Sequence, residues 1–274
     1  MSLAFSQRKQ WLLRPINIKW NIKLGLRTNN RSILSGSYNT NLSYLDDQGD
    51  KWGETYIKYI GQHFEDYAHW GSIYTYAPLE GRLSRKPGTF SIREYKDAAS
   101  GVTGTIGEVL AITFFQNVFG LTAFEMAHLK SSSLYQAPDF CLDIQPSQLV
   151  AFLTRHRFTD LTLHNALTGL HWGDPLPLET KSRRQNNSGG KNPSQIKDGL
   201  AQLISYWKRV PSVSGYGLIM QVDVFPRTVL NLHLLIPKKN EINNIMSIIN
   251  GSGTLFPDVI TIKEFERIFG GRYV

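Results

Sequence analysis

Hydrophobic and polar residues alternate along residues 16–26, where Ile16, Ile18, Trp20, Ile22, Leu24 and Leu26 are interleaved with Asn17, Lys19, Asn21, Lys23 and Gly25. A period of two puts the apolar set on one face of a β-strand and the polar set, with both lysines, on the other. An acid-free, basic stretch near the start of a chain also has the composition of a targeting peptide. Such peptides are usually amphipathic helices, so the alternation favours a structural strand with a basic outer face.

Further along, the pattern changes with the element. Residues 105–119 are apolar on most sides, as a buried helix is, and Gly120 stands where a left-handed C-cap belongs. Leu121–Leu129 and Asp139–Ile144 read as strands, Pro146–His156 as a short helix, and Leu176–Ser182 as another strand. A polar, Gly- and Ser-rich loop from Arg184 to Pro193 leads into a helix from Ser194 to Arg209, with Ser194 as its N-cap. In that helix Ile196, Leu200, Leu203, Ile204 and Trp207 form one apolar stripe. Gln202 and Tyr206 fall on the opposite side, free to face a site or substrate. Strands at Gly217–Phe225 and Val229–Ile236, a helix near 240–249 and a short C-terminal segment complete the chain. Residues 53–70 fit a helix loosely. Helix, strand, strand, strand, helix, strand, strand is an order that suits an α/β fold with a mixed sheet and helices on its faces. Residues 1–95, basic and aromatic-rich with strand content, form an N-terminal region that would bind DNA or a partner. Residues 96–274 form the second domain.

Charge sharpens this picture. The chain of 274 residues carries a formal charge of +8, and its bases are clustered. Between Met1 and Leu45 there are seven Arg or Lys and no acid, and between Lys181 and Arg209 seven bases face the single acid Asp198. Clustering of this kind points to a polyanionic partner. Arg183, Arg184, Lys191, Lys208 and Arg209, together with Lys19 and Lys23, are the candidate nucleic-acid contacts, although any one of them would also serve as a solvated surface charge. Cys141 is the only cysteine, so no intramolecular disulfide can form, and an intracellular, cytoplasmic location is expected. A structural zinc site is excluded by the same count. No stretch is long and apolar enough to span a bilayer.

Two short segments carry chemistry. In Leu176-Pro-Leu-Glu-Thr-Lys-Ser182, Glu179 and Lys181 share one strand face, opposite Leu178 and Thr180. A carboxylate and an ammonium inside an apolar strand are either a structural ion pair or a hydrolytic centre, in which the carboxylate holds a divalent metal and the lysine orients the attacking water. In Ala137-Pro-Asp-Phe-Cys-Leu-Asp-Ile144, Asp139, Cys141 and Asp143 share the face away from Phe140, Leu142 and Ile144. Asp139, at the strand's start, is placed to meet Glu179, and Asp143 is the substitute two pairs along. Asp139, Glu179, the Thr180 backbone carbonyl and waters would make a hard, oxygen-rich site of the kind Mg2+ prefers, with Mn2+ as a substitute.

Pro138-Asp139 followed by Glu179-Thr180-Lys181 resembles the signature of the PD-(D/E)XK, or restriction-endonuclease-like, nuclease superfamily. Gly107-Glu108 in the preceding helix is similar to that family's helical glutamate element, and Gln202 with Tyr206 to the QxxxY motif of its RecB-like branch. The likeness covers about 105–236. Asp139 and Glu179 lie 40 residues apart, which an inserted helix and loop at about 145–175 would explain. The resemblance implies a restriction-endonuclease-like core that hydrolyses phosphodiester bonds. It also implies Asp139, Glu179, Lys181, Glu108, Gln202 and Tyr206 as the catalytic set, with Glu108 joining the metal directly or through water. A DNA endonuclease of a prokaryotic anti-phage or restriction system is the expected role, acting as a homodimer or with an ATPase or helicase partner, and RNA is a second possible substrate. A repair or recombination nuclease, and a non-cleaving nucleic-acid-binding subunit, are the competing readings.

Overall fold

The alternation over residues 16–26 becomes strand β1 (Pro15–Leu24). A computed structural model describes residues 15–26, 31–41, 44, 75–76, 100–122, 125–130, 136–185, 193–225, 228–251 and 257–270. The remaining strands are β2 (Leu34–Asn41), β3 (Thr75–Tyr76), β4 (Met126–Lys130), β5 (Phe140–Leu142), β6 (Leu176–Gln185), β7 (Gly217–Phe225) and β8 (Val229–Leu235). The helices are α1 (Ser100–Phe114), α2 (Pro146–Arg155), α3 (Leu161–Leu167), α4 (Pro193–Trp207), α5 (Ile242–Gly251) and α6 (Val259–Phe269).

The strands form a mixed sheet in the order β2-β1-β8-β7-β6-β5-β4, with the two-residue β3 against the β4 edge. β4, β5 and β6 are antiparallel neighbours. The chain then crosses through α4 to β7, which runs parallel to β6, and returns antiparallel as β8. β1 adds in parallel to β8, and β2 antiparallel to β1. Residues 15–41 therefore belong to the same sheet as the strands after residue 126, and the expected boundary at residue 95 does not separate two sheets.

Each face of the sheet has its own helix. Ile18, Trp20 and Ile22 are buried on the α1 side, where the Trp20 ring meets Phe114 edge-on at 5.8 Å. Contact there is close: a Cβ at Gly107 of α1 would fall 2.6 Å from the Ser182 Cβ of β6, so only glycine lets the helix settle at this depth. α4 covers the other face. All five residues of its expected apolar stripe are buried, and α6 packs behind it with Phe265 against Trp207 at 5.4 Å.

Several boundaries differ from expectation. α1 ends at Phe114, and a π-helical turn, Phe115–Phe119, carries the chain to Gly120, whose φ of +88° makes it the left-handed cap expected there. α4 starts at Pro193, so Ser194 lies in its first turn instead of capping it; proline's fixed φ and missing N–H suit the first helical position. The strand expected from Leu121 starts only at Met126. The 145–175 insertion holds two helices, α2 and α3, and the C-terminal segment contains α6. The loosely assigned helix at 53–70 lies outside the described residues. No helix among the described residues is long and apolar enough to cross a membrane.

His233 on β8 is fully buried, and its neutral ring donates from Nδ1 to the Gly25 carbonyl at 2.9 Å. Burial lowers its pKa to about 4, against the opposing pull of that backbone bond. An unfolded chain takes up this proton as pH falls through ~6.5, whereas the folded chain resists until about 4. The stability His233 contributes is therefore complete above ~6.5 and is lost as pH falls towards 4. Asn at this position keeps a donor near Gly25 without titrating. Between pH 7 and pH 5, wild type should lose about 2 kcal/mol more stability than His233→Asn, read from urea unfolding curves.

Candidate active site

Neighbouring strands bring Asp139 and Glu179 together through the antiparallel register of β5 and β6, in which Phe140 pairs with Leu178. Their side chains and backbones are exchanged. The Asp139 N–H donates to Glu179 Oε2 at 3.1 Å, and the Thr180 N–H donates to Asp139 Oδ2 at 2.8 Å. The Thr180 hydroxyl also donates to Asp139 Oδ2. Asp143 is exposed at the far end of β5, where its N–H is given to the Glu125 carbonyl. The geometry thus brings Asp139, and not its substitute, to Glu179.

Lys181 projects from the same face of β6 as Glu179 and donates from Nζ to Glu179 Oε1. A second Nζ–H goes to Gln202 Oε1 at 2.7 Å, and Gln202 Nε2 donates to the Ala137 carbonyl at 3.1 Å. A closed circuit results. It runs from the approach to β5, through α4, to β6 and back to Asp139. α4 can approach because Gly199 faces the strand: a Cβ there would already lie 3.3 Å from the Glu179 Cγ.

Glu179 is 1% exposed, and its burial, reinforced by the Asp139 carboxylate, pushes its pKa well above the usual range against the pull of Lys181. Burial acts on Lys181 too, in the lowering direction, but Glu179, Asp139 and the more distant Asp198 outweigh it and raise its pKa. Lys181 is therefore held as a cation. Two carboxylates sharing one ammonium leave a negative charge uncompensated in a partly dry site. Only a proton or a further cation can relieve it.

Other expected members lie elsewhere. Glu108 on α1 sits 3.4 Å from His128 Nε2, and His128 pairs across to Phe140 and so to the Leu178 face of the sheet. Glu108 thus approaches from the face opposite Glu179 and Lys181. Among the described residues, no group of three or more His, Cys, Asp or Glu is arranged to hold a metal ion. Tyr206 does not face a ligand. It is completely buried and donates to the Pro175 carbonyl at 2.9 Å, because one turn beyond Gln202 the helix has passed the site and covers the start of β6. Thr180 is buried and pairs with Met220. Cys141 is fully buried, and burial raises its thiol pKa, as for a small packing residue.

The expected phosphate contacts divide. Lys19 is exposed and Lys23 half-buried on the polar face of β1. Lys208, half-buried at the end of α4, feels Asp258, the N-cap of α6, and so belongs to the α4–α6 junction. Arg209 is half-buried beside it. Arg183 and Arg184 lie on β6, with side chains outside the described residues, as is all of Lys191. Gln221 and Asp223 were missed from the sequence. Both are buried on the site face of β7, and the alternation that singled out Glu179 and Lys181 also marks them in Gly217–Phe225.

Tyr206→Phe removes a buried donor and leaves the Pro175 carbonyl unpaired. It should lower stability by about 1–2 kcal/mol, seen as a lower urea midpoint with an unchanged slope. No family model, curated protein or solved structure matches this chain.

Proposed function

We propose that the chain is a divalent-metal-dependent nuclease that hydrolyses phosphodiester bonds in DNA, in the manner of the PD-(D/E)XK enzymes its motifs resemble. One observation carries the reading: Asp139 and Glu179 meet across β5 and β6 with a single lysine between Glu179 and Gln202, so the carboxylates outnumber the ammonium and call for a proton or a cation between them. A purely structural ion pair would match one carboxylate to one ammonium.

The donors suit a hard cation. Asp139 is partly exposed, and its Oδ1 has no hydrogen bond among the described residues, while Glu179 supplies a second carboxylate beside it. These two residues would hold Mg2+ or Mn2+, with waters completing the shell. When bound, the metal would supply a polarised phosphoryl oxygen and a more acidic water. Lys181, kept charged by its carboxylate neighbours, would orient that water and offset charge growing on the phosphate. Gln202 is a positioning residue. It fixes the lysine's direction and has no need to touch substrate.

Restriction or anti-phage defence is the setting that the family resemblance suggests. Supercoiled plasmid incubated with protein and Mg2+ or Mn2+ tests the chemistry. Glu179→Ala and Lys181→Ala should each reduce cutting at least about 100-fold, while Asp143→Ala cuts like wild type. Equal cutting by wild type and both site variants, or none by wild type with either metal, would sink the proposal.

A further inference from the structure

The site face of the sheet continues past the catalytic strands. Lys181 pairs across to Gln221, Gln221 to Asn231, and Asn231 to Asn21, so one row of polar side chains crosses β6, β7, β8 and β1. Ser35 of β2 ends the row. Five strands give four spacings, a span of about 19 Å. Exposure rises along it. Gln221 is 2% exposed, Asn231 and Asn21 are half-buried, and Ser35 is open to solvent. To one side of the row, the pairs Lys19–Ser37 and Asn17–Asn39 are also exposed.

This open half has a definite chemistry. The amides are held in pairs, Asn17 donating to Asn39 at 2.9 Å and Asn21 to Asn231 at 3.2 Å, so each is set before any ligand arrives. Gln221 Nε2, next to Lys181 in the row, is buried without a hydrogen-bond partner among the described residues. On this face Lys19 and Lys23 are the charges of β1, and the described parts of β2 and β8 add no acid. Asp223 of β7 is buried and acts on Lys23 from within. The edge strand itself, β2, carries no lysine, so Lys19 and Lys23 on the inner strand β1 are not the charges that keep a sheet edge from pairing with other chains. The aromatic side chains of β1 and β2, Trp20 and Tyr38, belong to the α1 face, where they meet Phe114 and Thr113. Among the described residues of β1, β2 and β8, no exposed aromatic ring on this face offers the platform on which single-stranded bases stack. Lysines with Asn and Ser side chains are the groups that grip the phosphates of a duplex.

We propose that the exposed face of β1 and β2, with Asn231, is the docking track for duplex DNA, gripping its phosphate backbone and leading it to Asp139 and Glu179. The identity of the ligand rests on the nuclease reading, but the binding test needs no cleavage. The full chain is titrated against a labelled 30-base-pair duplex, and separately against one of its single strands, in EDTA at several salt concentrations. Lys19→Gln with Lys23→Gln should weaken duplex binding about tenfold at 0.1 M salt and reduce the slope of log K against log salt by about 1.8. Lys19→Gln alone, at an exposed position that folding does not need, should reduce that slope by about 0.9, which keeps the test valid if Lys23→Gln unfolds. An unchanged slope in both variants overturns the track. Single-strand binding that is tighter than duplex binding and falls equally in the variants overturns the duplex as its occupant. Plasmid cutting with an unchanged slope refutes the track and leaves the nuclease reading intact. A reduced slope in a protein that never cuts does the reverse.

Discussion

Everything at this site depends on a reciprocal exchange between two strands. Asp139 gives its backbone N–H to the Glu179 carboxylate, and Thr180 gives its own to Asp139. Each bond alone would contribute modestly to stability. Together they fix the relative height of β5 and β6, since a slip of one residue would exchange every side chain between faces. They also satisfy buried carboxylate oxygens that would otherwise be costly. The exchange thus sets the register and holds two like charges side by side.

Holding them has an energetic cost that the surrounding fold offsets. Glu179 is pushed towards protonation by burial and by Asp139, and α4 presses over it where Gly199 permits. The opposing stabilisation comes from apolar packing on both sides of the sheet: α1 on the Trp20 face, and the α4–α6 packing of Trp207 with Phe265 and Phe269 on the site face. Tyr206 belongs to this supporting layer, tied to the Pro175 carbonyl. A sheet covered by apolar helices at its middle can bury an electrostatic centre there and still offer open polar surface on β1 and β2.

Much of the centre was legible because it is local. Glu179 and Lys181, two residues apart on an apolar strand, must share a face, and the same parity holds for Asn17, Lys19, Asn21 and Lys23. Gln202 was legible from helical spacing, as a polar position opposite the Ile196, Leu200, Leu203, Ile204 and Trp207 stripe. Tyr206 was misread by the same rule, because an amphipathic pattern records polarity and cannot tell a hydroxyl facing a ligand from one tied to a buried carbonyl. The side from which Glu108 approaches was not legible for a related reason. Its helix was recognised, but the side of the sheet that the helix covers is set by the close contact of Gly107 with Ser182.

The sequence by itself determined the periodicities: which residues make strands or helices, and which share a face. Those follow from backbone geometry within a few residues. Only the tertiary structure decided which strands are neighbours. It chose Asp139 over Asp143, sent Lys208 to Asp258, joined residues 15–41 to the main sheet, and lined Lys181 up with Gln221, Asn231 and Asn21. Strand neighbours are selected by long-range hydrogen bonding and by the burial of Trp20, Phe114 and their surroundings, a cooperative choice that no local stretch of chain encodes.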